Sequence, residues 1–434
     1  MTCSLSARRL FPSFALMIAL AATASGAEPA IQPGTHFAIL RPDPTRICWN
    51  EEQLIANKTT EVIVTEVNND GYRGLVVDHP TESLLVWQAD YLPHQFVARQ
   101  ESDHVRFIVR RFSPAEGGFV QHEEYVYVGN VHLPESLRWI SKDGTPKDIS
   151  VIIGPRHTVE GLEQIAGAHG RAVAIAKAQA EKARPHLAAL NAAGINAWVN
   201  RPLADGTLVL GWSEHERALT PEQLSSLMDS VRSADLPVEI SLERASLLSL
   251  STYGQLRNIY GLRINFQQIR INAANDKQPD PSSAIGSGEL LPFFRNASDL
   301  QRLSLYEPSS EDVKSLHALP QLHHLCISNP TESLKEESKK VLGGLVRLKS
   351  FHLLSTNASD GDCVKYLSGL PDLVAIRSDA HSSSSAAVEA LNRIPNLALV
   401  KVRGITGAQL LQIHNPSIRE LHASVDGSVT DAQL

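Results

Sequence analysis

Leu300-Gln301-Arg302-Leu303-Ser304-Leu305 returns as Leu322-His323-His324-Leu325-Cys326-Ile327 and again as Leu348-Lys349-Ser350-Phe351-His352-Leu353. The same slots then hold Leu373 and Ile376, Leu397, Val400 and Val402, and finally Ile418 and Leu421, so the pattern recurs every 21 to 26 residues over residues 300–434. A fixed period of this length marks stacked supersecondary units. Slots four and six of each unit share one face of a pleat and read as a strand. Val364, Leu367 and Leu370, and likewise Val388, Leu391 and Ile394, are spaced as one buried stripe of a short helix. The few apolar side chains of one unit cannot offset the ordering of its whole length. Each unit therefore needs neighbours on both sides.

These slots resemble the leucine-rich repeat family, above all its bacterial variety. Gly369-Leu370-Pro371-Asp372-Leu373 and Ser428-Val429-Thr430-Asp431-Ala432-Gln433-Leu434 carry the likeness, with Ile405-Thr406-Gly407-Ala408-Gln409-Leu410 a looser match. The resemblance implies an α/β leucine-rich repeat solenoid over residues 195–434, with a concave sheet as its contact surface. Upstream, Thr220-Pro221-Glu222-Gln223-Leu224 reads as an N-cap, a helical proline and a first turn. The polar segment 273–288 reads as an insertion.

Residues 34–98 alternate strands and turns, as in Glu61-Val62-Ile63-Val64-Thr65-Glu66-Val67 followed by Asn68-Asn69-Asp70-Gly71. Leu84-Leu85-Val86-Trp87-Gln88-Ala89-Asp90-Tyr91-Leu92 resembles the last strand of a bacterial SH3-like barrel. That resemblance implies a small all-β module. Trp87 and Tyr91 read as its core, the alternative being the lining of a peptide or glycan groove. Residues 99–155 keep a strand-like texture as an additional β region. Residues 156–194 form a helical connector and solenoid cap, with a break expected at Pro185 and a C-cap at Gly194. The expected class is thus α+β and multidomain.

Arg8 and Arg9, an apolar run over residues 10–22, and Ala24, Ser25, Gly26 and Ala27 make the three parts of a secretory signal peptide over residues 1–27. The expected location is secreted or periplasmic, with membrane attachment only if the segment stays uncleaved. The chain carries a net charge of −7, and removing that segment, which holds two arginines and no acid, takes it to −9. Such a balance argues against general nucleic-acid binding. Cys3 lies in the segment, leaving Cys48, Cys326 and Cys363, an odd number and no disulfide framework.

No nucleophile elbow, phosphate loop, zinc-protease helix or paired-Cys metal motif is present, and His122-Glu123-Glu124 lacks a second histidine. A non-enzymatic protein without cofactor is expected. Strand alternation makes one surface informative. Slot five of the repeats reads Ser304, Cys326, His352, Arg377, Lys401, His422, and slot seven reads Tyr306, Ser328, Leu354, Asp379, Arg403, Ser424. With strands about 4.8 Å apart, His352, Arg377, Lys401, Arg403 and His422 make a basic stripe flanked by Tyr306. The stripe is read as a docking site for a protein partner with an acidic segment. The alternative is a cell-wall or glycan-binding protein acting through the SH3-like module. His324, Cys326 and His352, on neighbouring strands, are ligands of the type zinc takes, but with 17 histidines in the chain chance accounts for them and no metal is expected.

Overall fold

The structure is a computed structural model. It describes residues 3–5, 31–42, 57–77, 91–140, 144–214, 219–243, 252–256, 258–266, 290–380, 384–418 and 420–425. The chain divides into two compact units, one of residues 12–184 and 200–208, the other of residues 1–11, 185–199 and 209–434.

Strand β1 (Cys3–Leu5) belongs to the second unit. The first unit is a nine-stranded sheet of β2 (His36–Pro42), β3 (Asn57–Asn68), β4 (Gly71–Val76), β5 (His94–Glu101), β6 (His104–Ser113), β7 (Gly118–Val128), β8 (Arg138–Ile140), β9 (Pro146–Asp148) and β10 (Ser150–Ile153). Its order is β10-β2-β3-β4-β5-β6-β7-β8-β9, and every pair is antiparallel. Alternation selects the core: Phe37, Val62, Val64, Tyr72, Phe96, Phe107 and Tyr127 are all at most 1% exposed. The rings interlock edge to face, with Tyr72 on Phe37 at 5.9 Å and Phe107 on Tyr127 at 4.9 Å between centroids.

Helix α1 (Val159–Ala192) runs through Pro185 without ending there, contrary to the expected break. Proline in a helix interior forfeits one hydrogen bond and crowds the preceding turn. The alanine-rich sequence on both sides keeps propensity high enough to carry it. The buried stripe of the helix includes Ala172, Ala176, Ala180 and Ala183, which permit close approach. At Gly206 a Cβ atom would meet the Ala172 carbonyl oxygen at 2.0 Å, and its φ is +90°, so both space and backbone require glycine.

The second unit holds an eleven-stranded mixed sheet. Its strands after β1 are β11 (Asn196–Val199), β12 (Leu210–Glu214), β13 (Val238–Leu242), β14 (Ile259–Asn265), β15 (Arg302–Tyr306), β16 (His324–Ser328), β17 (Ser350–Leu354), β18 (Ala375–Ser378), β19 (Leu399–Ile405) and β20 (Glu420–Val425). From β12 to β20 neighbours pair parallel in sequence order. β11 closes one edge antiparallel to β12, and β1 pairs antiparallel with β20 at the other. The slot residues Leu325, Phe351, Ile376 and Val400 stand in register. The connections include α2 (Pro221–Ala234), α3 (Leu290–Asn296), α4 (Ser310–Lys314), α5 (Glu336–Val341), a 3₁₀ segment (Ala358–Leu367), α6 (Ser385–Arg393) and α7 (Gly407–Leu411). Thr220 and Gln223 form a reciprocal capping box at the start of α2.

The expected fold class, a small SH3-like module with a helical connector and a leucine-rich repeat solenoid, is therefore corrected. One antiparallel sheet runs from β2 to β10 and continues past residue 98, because β5 pairs with both β4 and β6 in long register. A small closed barrel would have ended near there. The other sheet is mixed, closed at both edges by antiparallel strands that the repeat slots do not encode. Trp87, Cys48, the apolar leader and segment 273–288 lie outside the described residues. Tyr91 is buried, makes an isolated bridge to Leu203 and lies beneath the Arg201 guanidinium at 5.2 Å.

Between strands, the connecting layer is tied by a buried ion. Asp360 is fully buried and accepts bonds from Leu334 N–H at 2.8 Å, Ser333 Oγ at 3.2 Å and Ser355 Oγ at 2.7 Å. Lys339 Nζ lies 3.9 Å from the carboxylate and donates to the Ser359 carbonyl at 2.6 Å. Removing one member of a buried pair strands the other. Asp360→Ala is expected to lower unfolding free energy by about 3–5 kcal/mol, and Phe351→Ala by a similar amount of about 3–5 kcal/mol, both measured by urea denaturation. A loss under about 1 kcal/mol for Asp360→Ala would show that the ion has no structural role.

Candidate functional site

Along β15 to β19, Leu303, Leu305, Leu325, Ile327, Phe351, Leu353, Ile376 and Val400 are essentially unexposed. The alternating positions lie on the opposite face. Because pairing is in register, Ser304, Cys326, His352, Arg377 and Lys401 stack in one column, and Lys401 pairs with His422 on β20. Tyr306 pairs with Ser328, and Ser328 with Leu354. His352 is buried, Tyr306, Arg377 and Lys401 are half-buried, and Arg403 is exposed. The His422 side chain lies outside the described residues.

The stripe contains its own anion. The N–H of Asp379 donates to the Leu353 carbonyl at 2.8 Å, which fixes Asp379 just past the end of β18. Its carboxylate is only 5% exposed. Arg377 Nε donates to Oδ2 at 2.8 Å, Arg403 Nε lies 3.1 Å from Oδ1, and His352 Nε2 lies 4.0 Å from Oδ2. Burial pushes this carboxyl up, but His352, Arg377 and Arg403 together outweigh it and hold it at about 2. It is a carboxylate throughout the neutral range.

On the other side of the imidazole, His352 Nδ1 lies 3.6 Å from Cys326 Sγ, and Ser328 Oγ lies 3.4 Å from the same sulfur. Burial alone would raise the Cys326 thiol. The hydrogen bond and charge of His352, with the Ser328 and Ser304 hydroxyls, bring it below the ordinary thiol range instead. His352 shows the complementary shift: burial lowers it, but Asp379 and Cys326 raise it further than burial and Arg377 depress it. Cys326, His352 and Asp379 thus form a line of thiol, imidazole and carboxylate across three adjacent strands. His324 faces away from that line chemically, its Nδ1 paired with Ser350 Oγ at 2.8 Å. Among the described residues no three Cys, His, Asp or Glu side chains are arranged to hold a metal.

Sequence reasoning placed Asp379 beside Arg403 in slot seven without reading the pair. The signal was there, since opposite charges on facing strand positions attract. It also missed a basic cluster in the first unit. There His94 stacks on His122 at 5.3 Å, and burial, followed by Arg201, His122 and Arg111, drives His94 down to about 3. No family model matches the chain, and no curated protein matches it significantly.

The shifts set a pH response. Asp379, depressed when folded, contributes stability above the usual carboxylate range, and that contribution is lost as pH falls towards about 2. His352, raised when folded, contributes below the usual histidine value, and that contribution is lost as pH rises through its folded value. In an NMR titration, the His352 ring is expected to titrate above an ordinary histidine, and Asp379→Asn to bring it down. An unchanged His352 titration in that variant would refute the coupling.

Proposed function

We propose that this chain is an exported, non-enzymatic binding protein that holds an acidic segment of a protein partner against the polar face of its parallel sheet. The carrying observation is a charge imbalance. By sequence, slots five and seven of β15 to β19 hold three permanent cations, Arg377, Lys401 and Arg403, and one acid, Asp379. This local surplus of positive charge sits on a chain of net charge −7, so an anionic segment is steered to this face rather than to the rest of the surface. Asp379 also holds the two guanidinium groups in place, which lowers the ordering cost of docking. Export rests on the sequence of residues 1–27 alone, and cleavage of that segment would remove the edge strand Cys3–Leu5 that pairs with β20.

Arg377 and Arg403 both contact Asp379, but Arg403 is the exposed one of the two, so Lys401 and Arg403 are the positions to test. A fluorescent peptide of alternating Glu and Asp, titrated into the full chain, is expected to bind more weakly as salt rises. Lys401→Glu with Arg403→Glu is expected to weaken binding by about tenfold or more. Binding that is absent, or indifferent to the double substitution, would sink the proposal.

A further inference from the structure

We propose that Cys326 is a peroxide-sensitive thiol, activated by His352 and oriented through Asp379, recessed in the floor of the sheet's polar face. The site is a modification site for small peroxides. It stands apart from the docking proposal, and its readouts involve no partner.

Three observations carry it. The first is geometry: the imidazole lies between sulfur and carboxylate, with Sγ within hydrogen-bond reach of Nδ1 at 3.6 Å and Oδ2 at an ion-pair distance of 4.0 Å from Nε2. The second is the surroundings. The groups facing this line are Ser304 on β15, Ser328 on β16, and Arg377 and Arg403 on β18 and β19. Negative charge on sulfur is therefore met by hydroxyl donors and by an imidazole whose protonated form is favoured, while Asp379 lies on the far side of that imidazole. The third is burial. Cys326 is 3% exposed. A sulfur so little exposed is cut off from water, so its charge depends on the side chains around it.

The step balances within the site. The Cys326 thiolate attacks one oxygen of hydrogen peroxide, forming an S–O bond as the O–O bond breaks. The departing hydroxide takes the proton from the His352 imidazolium and leaves as water. Sulfur loses two electrons, peroxide gains them, and the product is a sulfenic acid with a neutral imidazole. Asp379 does not touch sulfur. It is a positioning residue that keeps the imidazole protonated before the attack.

The chain contains its own control. Cys363 is free and fully buried, and burial first, opposed by Lys339 and aided by Asp360 and Asp362, pushes its thiol up to about 12. The two thiols share a fold and differ in environment.

The experiment uses the full chain. Folded protein is exposed to hydrogen peroxide with dimedone as the sulfenic acid trap, and adduct at each cysteine is followed by mass spectrometry. Adduct at Cys326 is expected to form at least about tenfold faster than at Cys363, and the difference is expected to collapse in denaturant. The rate at Cys326 plotted against pH is expected to turn over below the ordinary thiol value of about 8.5. His352→Gln, which keeps a polar side chain but cannot titrate, is expected to slow the reaction by about tenfold and move the turnover upward. If that variant fails to fold, Asp379→Asn serves, with the same upward movement expected. Trapping at Cys326 no faster than at Cys363 in the folded protein, or a pH turnover at the ordinary thiol value, would overturn the inference.

Discussion

From β14 to β19 the parallel strands run without a slip in register, and everything on the polar face depends on it. A shift of one residue in any strand would exchange its two faces. It would carry His352 inward and Phe351 outward, and the column from Cys326 to Lys401 would cease to exist. The apolar slots enforce the register because each is buried against the connecting layer, where a polar replacement has no partner. In this sheet, among the described residues, irregularities fall at Val238/Glu239, where β13 meets β14, and at Arg403/Ile405, where β19 meets β20. The column from Ser304 to Lys401 lies between them, and Arg403 stands beside the second.

Two carboxylates show what that scaffold permits. Asp360 is buried in the connecting layer and bound mainly by neutral donors, with Lys339 nearby. It joins successive connections where strands cannot. Asp379 is buried on the sheet face and bound by charged donors. A buried charge is tolerated only when its partners replace water, and the two sites do so in different ways. The thiols divide along the same line. Cys326 shares the face with an imidazole, whereas Cys363 shares the connecting layer with acids. Layer, more than residue type, decides how each group titrates.

Local features were legible in the sequence, and closure was not. The spacing of Leu303, Leu325 and Phe351 announced strands with one buried face, and Thr220-Pro221 announced a helix start. The capped helix and the in-register slots follow from contacts a few residues apart, or from a repeated pattern. Nothing in Asn196-Ala197-Trp198-Val199 says that it pairs antiparallel with β12, since edge direction is set by the path of the chain rather than by alternation. The strands of residues 94–128 were visible singly. Their union with β2 to β4 in one sheet depends on pairings between hairpins, which no local pattern encodes. Pro185 misled for a related reason: its local cost is real, but helix continuity is decided by the whole length. On the candidate site, the stacking of His352, Arg377 and Lys401 could be read from period alone. The role of Asp379 was legible only in part: slot seven sets it beside Arg403, but its burial and its contacts with Arg377 and His352 do not follow from the period.

That carboxylate changes the meaning of the basic stripe. Cations about 4.8 Å apart on neighbouring strands repel, and a stripe of them without an internal anion would splay into solvent and destabilise its own sheet. Asp379 removes that penalty by drawing Arg377 down and Arg403 across. The result is a surface whose positive surplus is smaller than its composition suggests, but whose guanidinium groups are held in place rather than sampling many rotamers. Holding them trades raw attraction for order. An incoming carboxylate then meets donors whose conformational cost was met during folding. The same anion reaches the thiol indirectly, because the imidazole it stabilises is the one that faces Cys326. The proposed docking surface and the proposed reactive sulfur thus share a single side chain, placed by one backbone hydrogen bond from Asp379 to Leu353.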